Sequence, residues 1–528
     1  MMLVLHRING ISIAILLAYF AVSVLIGWIV RKKRTNANDF LNATGSLPLW
    51  IVSLAFLAAN CGALDIIGLS AMSAQYGVQA FQFFWIGAIP GMIFVALWML
   101  PQYVRMGIRS IPEYLEQRYD KRVKLVNACT LAVTTTVFAG INLYAIGQTL
   151  QALIGIPFFV GALLAATIVA AYVLVGGLRA TIYNEALQLL IILAGLFPLL
   201  LKLRRTGSFN PSPNALRDHL WTSLPFANTK APFDDLGTVI GLGFVLGFGY
   251  WCTDFVLMQR ALAARGRSDA RKVPLLAGFG KILISFFVVL PASHAARFLP
   301  GIGNTIRYDA VLPEMMVRLY SPSLLGLGMT ALVAGLMSGL AANVSAFAAI
   351  WTEDIYRPWL VKERSENHYL RIGAVSTVAA MLLGLLASET SFRFSNLMEH
   401  VQVVLSVFGP PFWAVFLLGI TTTRVNAKAA FGGLASGIAL AIVHHLLVLS
   451  TLLRYGSLMT ANFHVAIYGF STSFVIALLL SYSGSPRLRA TMSDRIDTKR
   501  VSWVGELPIY ILAGLLALAC VSLNWIWR

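Results

Sequence analysis

Charge is scarce in this chain. Only 12% of its 528 residues are Asp, Glu, Lys or Arg, while 58% are hydrophobic; soluble domains carry about 25% charged residues. Two or three packed soluble domains would need polar outer faces that this composition does not supply. With a mean hydropathy of +0.76, a water-soluble enzyme is excluded. Cysteine is also sparse. Cys61, Cys129, Cys252 and Cys520 form no CxxC pair, which excludes a disulfide framework and a cysteine zinc site. The histidines are scattered, and the adjacent His444 and His445 would point about 100° apart on a helix, a poor geometry for one metal. An integral-membrane enzyme built on a metal cluster is therefore discounted. There is no run of short alternating segments, which argues against an outer-membrane barrel. No low-complexity segment or soluble insertion is visible either.

What the chain does have is long apolar blocks of roughly 20 residues, the length of a helix that crosses a bilayer. The expectation is an all-α polytopic membrane protein with about fourteen spans, near 11–30, 48–72, 77–104, 123–155, 156–175, 180–202, 236–257, 273–297, 323–351, 371–390, 397–421, 427–450, 461–482 and 504–527. The first block is longer than a signal core and runs into Arg31-Lys32-Lys33-Arg34, so it reads as a retained span. The net charge of +18 would suggest nucleic acid in a soluble protein. Here it reads as basic cytoplasmic loops. With the N-terminus outside, every odd-to-even connection is basic; the loop after Lys202, Arg204 and Arg205 runs against this. Both termini are then extracytoplasmic, in the plasma (inner) membrane. The stretch 203–235, with Pro211, Pro213, Pro225 and Pro232, reads as an ordered outer loop.

Ionisable residues at membrane depth are costly and mark functional candidates. Asp65, Glu185, Asp254, Lys281 and Glu399 fall there, with His400 beside the last. In the second span, Asn60-Cys61-Gly62 interrupts an apolar helix with poor helix formers. An unwound stretch would offer hard carbonyl oxygens to Na⁺; a small-residue packing face is the equally open alternative. Four glycines, Gly241, Gly243, Gly247 and Gly249, lead into Tyr250 and Trp251. They suggest an interrupted helix carrying a gate, or close packing beneath interfacial aromatics. Ser338, Asn343 and Ser345 could complete an ion site, or bond to their own helix. Lys281 lies too deep to snorkel easily and needs a partner, for which Asp65 is the complementary candidate.

Several segments together resemble the sodium/solute symporter family. Gly176-Gly177-Leu178-Arg179-Ala180 through Glu185 to Gln188 is similar to its signature; so are Ser110 to Tyr119, Tyr250 to Asp254 with Gln259 to Ala264, and Asp354-Ile355-Tyr356. The likeness runs from about 40 to 430, and sodium/sugar cotransporters are the nearest well-understood members. The resemblance implies a five-plus-five inverted-repeat, broken-helix core. Residues 1–47 would be an extra helix and basic loop, 48–202 the first repeat, 203–235 the outer loop, 236–430 the second repeat and 431–528 flanking helices. It implies a sodium site of backbone carbonyls at Ala58, Cys61 and Gly335 with the Ser338 hydroxyl; a second hydroxyl would fall on Gly339, which has no side chain. Glu185 would stand on the ion path. Asn60, Asp65, Phe84, Trp85, Tyr250, Lys281 and Gln402 are the expected solute contacts. Several sugar-binding positions differ, and a buried unpaired hydroxyl costs roughly 1–3 kcal/mol. A carboxylate or zwitterion is therefore expected in preference to a hexose. The expected function is Na⁺-coupled symport by alternating access, without an enzymatic cofactor. A proton-coupled or uncoupled carrier, or a non-transporting solute sensor, is the alternative.

Overall fold

A computed structural model describes residues 9–30, 47–108, 110–205, 220–221, 229–482 and 503–527. The basic run Arg31 to Arg34 lies outside these residues, as does most of the expected outer loop. Among the described residues the fold is helical, and β pairing is confined to two isolated bridges, Leu47 with Ala264 and Ile302 with Ile306.

Among the described residues eleven helices are long and apolar enough to cross a membrane, or up to twelve with one bent pair counted as a span. The expected count of fourteen is not recovered. The difference lies in two long stretches, Leu64–Val104 and Phe158–Arg205, each running through two of the expected spans. The second, of 48 residues, would be roughly 72 Å long if straight, more than twice a hydrocarbon core. It is bent by Gly177, whose φ of 60° and ψ of −159° are not helical. Glycine adopts that conformation without the penalty a Cβ would bring.

The helices that position the site are α1 (Leu49–Asn60), α2 (Leu69–Tyr76), α3 (Lys121–Ile154), α4 (Phe158–Arg205), α5 (Phe248–Thr253), α6 (Phe255–Ala261), α7 (Gly266–Ser293), α8 (Pro322–Ala349) and α9 (Leu397–Thr421). Helix α8 is the axis of the molecule: from Gly328 to Ala349 every side chain is buried. It packs against α3 and α4, while α7 lies along α1 and α2. A helix buried all round in this way is largely apolar, and Thr330, Ser338, Asn343 and Ser345 are its buried polar exceptions.

Caps fix where these helices begin and end. Asp120 accepts hydrogen bonds from the Arg122 and Val123 amides at the start of α3, both at 2.9 Å, and Gly155 closes it in the left-handed conformation. Asn396 accepts from Glu399 N at 2.9 Å to start α9. Such side-chain caps satisfy amides left open at a helix start. Around this core the outward side chains are apolar, among them Ile29, Leu386 and Trp525, as a lipid-facing surface requires.

Candidate functional site

Two interrupted helices converge on the middle of the molecule. Helix α1 stops at Asn60. Cys61 has φ −79° and ψ 41°, outside the helical range, and after Gly62 the chain resumes as a π-helical turn over Leu64–Gly68. Single π turns are frequent at functional sites. The second interruption is at Asp254. Helices α5 and α6 meet there at 54°, and the Asp254 carboxylate accepts from Leu257 N at 2.9 Å to start α6. The glycine run upstream does not break the chain. It forms a π-helix over Gly237–Gly247 and makes close contacts: a Cβ at Gly247 would lie 2.6 Å from the Gly87 carbonyl oxygen. Packing therefore explains the glycines, and an aspartate N-cap explains the bend.

The break in α1 rides directly on α8. A Cβ at Gly335 would stand 3.1 Å from the Cys61 carbonyl oxygen, and one at Gly62 would stand 3.0 Å from the Gly339 Cα. Between these two contacts sits Ser338, wholly buried. Its hydroxyl has no hydrogen-bond partner among the described residues. Elsewhere on α8 the Thr330 hydroxyl donates to Gly326 O at 2.8 Å, and the Ser345 hydroxyl lies 3.5 Å from that of Thr181. An orphaned buried hydroxyl carries a desolvation cost, and beside main-chain oxygens it suits a small hard cation. Cys61, Gly335 and Ser338 thus share one seam, and Ala58 is buried on α1 three residues before the break. Asn142 of α3, not singled out from the sequence, reaches the same seam; its amide oxygen accepts from Ala63 N at 3.0 Å.

Beside this seam lies a cavity of about 450 Å³. Five of the seven expected solute contacts line it: Asn60, Asp65, Tyr250, Lys281 and Gln402. Lys281 donates to Asp65 and to the Asn60 amide oxygen. Both charged side chains are at least 97% buried, at 3% and 1% exposed. Tyr250 accepts from Asn60 Nδ2 at 2.8 Å. The Gln402 amide oxygen is buried and unpartnered among the described residues. Apolar side chains, including Leu64, Phe83 and Leu246, complete the wall.

Phe84 and Trp85 are not on that wall. The Phe84 ring lies behind the ammonium, 5.0 Å from Lys281 Nζ. Trp85 turns toward α7 and donates to the Ser285 hydroxyl at 3.1 Å. They sit on a short helix, Phe81–Trp85, where one residue is a turn of about 100°. Phe83 takes the cavity position instead.

Glu185 lies outside the cavity on α4. It pairs with Arg260 at 2.7 Å, a second contact reaches Arg260 Nε at 3.3 Å, and both side chains are fully buried. Tyr250 borders two further cavities. One, about 360 Å³, includes Asn142, Gly339 and Asn343. The other, about 550 Å³, runs past Asn127, Thr130, Thr134 and Asp254.

Comparison with known proteins gives consistent findings. The Sodium:solute symporter family model matches residues 40–437. The chain is similar to the sodium/glucose cotransporter of Vibrio parahaemolyticus, 26% identical over 499 residues, covering 88% of this chain and 91% of that protein. It is 27% identical over 484 residues to sodium/glucose cotransporter 1 of Oryctolagus cuniculus, covering 82% and 72%, and 28% identical over 480 residues to human sodium/myo-inositol cotransporter 2, covering 82% and 69%. In fold it matches a Na⁺-coupled sialic acid symporter in a substrate-bound outward-open state, with TM-score 0.77 and 18% identity over 90% of this chain and 98% of that one. These relatives are transporters, not enzymes.

Proposed function

The chain belongs to the sodium:solute symporter family, and on that premise we propose that it imports a small organic solute together with Na⁺ by alternating access. The observation that carries this reading is the buried, partnerless Ser338 hydroxyl beside the break at Cys61 and Gly62. A cation bridging that seam would join α1 to α8. It would favour the state in which the solute cavity is formed, and solute would raise cation affinity by the same factor. An inside-negative potential favours cation entry by about 2.3 kcal/mol per charge per 100 mV. Glu185, neutralised by Arg260, would border the ion's way out.

The cavity's chemistry supports a reading of the solute class. Its polar wall is an ion pair, two amides and a phenol; the rest is apolar. A hexose would leave hydroxyls facing leucine and phenylalanine, at roughly 1–3 kcal/mol each. A carboxylate competes with Asp65 for Lys281, and a zwitterion matches both charges. We therefore favour a carboxylate or zwitterion.

Two supports favour the five-plus-five arrangement, with halves at 48–202 and 236–430: each half opens on a broken helix, and both breaks border Tyr250. Residues 1–47 and 431–528 would flank the core, with 203–235 as the outer loop. The charge pattern favours extracytoplasmic termini in the plasma (inner) membrane; in that orientation the 550 Å³ cavity, lined by Asn127, Thr130 and Thr134 near the start of α3, would open toward the cytoplasm.

The test is a thermal-shift screen of the purified protein against organic acids, amino acids and sugars, in NaCl and in choline chloride. Hits are then followed as flux in proteoliposomes. Stabilisation by an organic acid or amino acid, greater in Na⁺ and lost in Ser338→Ala, is the expected result. Equal response to a neutral sugar refutes the solute class. An unchanged Na⁺ effect in Ser338→Ala refutes the cation position, and binding without flux indicates a sensor.

A further inference from the structure

The resemblance to sodium/solute symporters would place a second hydroxyl of the α1–α8 seam at position 339. Position 339, next to Ser338, is glycine and carries no donor. The structure fills that space from a third helix. A Cβ built on Gly339 would stand 2.4 Å from the Asn142 amide oxygen, and one on Gly62 would stand 2.7 Å from the same atom. Asn142 is buried on α3, and its carbonyl end is wedged where the broken segment meets α8. Its Nδ2 donates to Phe138 O at 2.7 Å, so the amide is held with the oxygen facing the seam. That oxygen accepts one hydrogen bond, from Ala63 N at 3.0 Å. An amide oxygen has two lone pairs, so one remains.

We propose that Asn142 is a cation ligand, supplying from α3 the side-chain oxygen that Gly339 lacks, so that the cation joins three helices. The proposal rests on the cation reading above and extends it. Amide oxygens are hard donors that suit alkali and alkaline-earth cations. Glycine at 339 is then a requirement, because any side chain there would expel the Asn142 oxygen. Asn142 and Gly339 form a pair in which one position carries the donor and the other yields the space.

The experiment titrates Na⁺ into the purified full-length protein at constant ionic strength against choline chloride, reading the thermal shift. The melting temperature in choline alone reports whether each variant folds. Asn142→Ala and Asn142→Leu are expected to raise the half-saturating Na⁺ concentration about tenfold or more, the scale of losing a metal contact. Asn142→Asp keeps an acceptor for Ala63 N and is expected to bind Na⁺ more tightly. Gly339→Ser alone is expected to weaken binding by clashing with Asn142. Combined with Asn142→Ala, it restores a hydroxyl in the vacated space and brings half-saturation back toward the parent value.

A folded Asn142→Leu that binds Na⁺ within about twofold of the parent, while Ser338→Ala loses it, overturns Asn142 as ligand and leaves the cation seam standing. Failure of the paired variant to improve on Asn142→Ala also counts against it. If neither the parent nor Ser338→Ala shows a Na⁺-specific shift, the cation reading itself falls.

Discussion

Lys281 is the residue on which the cavity depends most. Its charge is met by Asp65 and by the Asn60 amide oxygen, with the Phe84 and Trp251 rings 5.0 and 5.5 Å from its ammonium. Removing one member of a buried pair strands the other, at about 3–5 kcal/mol. Asp65→Asn and Lys281→Met should each lower the melting temperature of the detergent-solubilised protein strongly. The double variant should lose less than the sum, and an additive result would mean the two charges are not coupled. This pairing was legible in the sequence, because a lone lysine at membrane depth needs an anion and Asp65 was the complementary one. Asn142 was not legible, because it is uncharged and, unlike Asn60, is not followed by a run of poor helix formers. Nor was the choice of Phe83 over Phe84, since a turn of one residue in a short helix leaves no mark on composition.

At the level of elements, helix starts and bends carry the design. Asp309 accepts from Leu397 N at 2.8 Å, at the start of the helix that bears Gln402. Burial pushes its carboxyl up to about 6, against that hydrogen bond and Arg307. A raised acid is protonated more readily in the folded than in the unfolded chain. Its contribution to stability therefore falls as pH rises from about 4 to 6. Asp309→Asn removes that dependence. The variant should gain on the parent by roughly 3 kcal/mol across this window, and melting curves at several pH values read the gap. A gap that is flat or narrows toward pH 6 would refute it. Gly247→Ala should destabilise by about 1–3 kcal/mol, because its Cβ would meet the Gly87 carbonyl at 2.6 Å; an unchanged melting temperature would refute that contact. Apolar run lengths announced the helices well. They did not announce that the glycine run stays continuous while Asp254 makes the bend, since glycines signal both close packing and interruption. The count of fourteen stays unconfirmed for a related reason. Hydropathy marks apolar length, and only the backbone at Gly177 says where a long helix turns.

For the whole molecule, the proposed symport makes a quantitative demand. The factor by which Na⁺ raises solute affinity must equal the factor by which solute raises Na⁺ affinity. Calorimetric titrations in both orders check it, and unequal factors would mean that the two ligands act on different populations. The family was legible from short segments spread over the chain, and the match over residues 40–437 agrees with them. The solute was not legible to that degree, because the cavity wall draws on α1, α5, α7 and α9 together with the π turn after α1. Which of their side chains face inward is settled by helix rotation, not by residue type.

Asn60 occupies an unusual place in this arrangement. One end of its amide holds the Tyr250 phenol while the other holds the Lys281 ammonium. The group acts as a two-ended clasp, so in the proposed carrier a solute that takes the ammonium away would also loosen the phenol. A ligand too weak to win that exchange would lodge without being carried. Such compounds would be blockers: they would raise the melting temperature yet give no counterflow, and Tyr250→Phe, already unclasped, would turn some of them into cargo. Should no blocker of the parent be carried by that variant, the clasp does not govern passage.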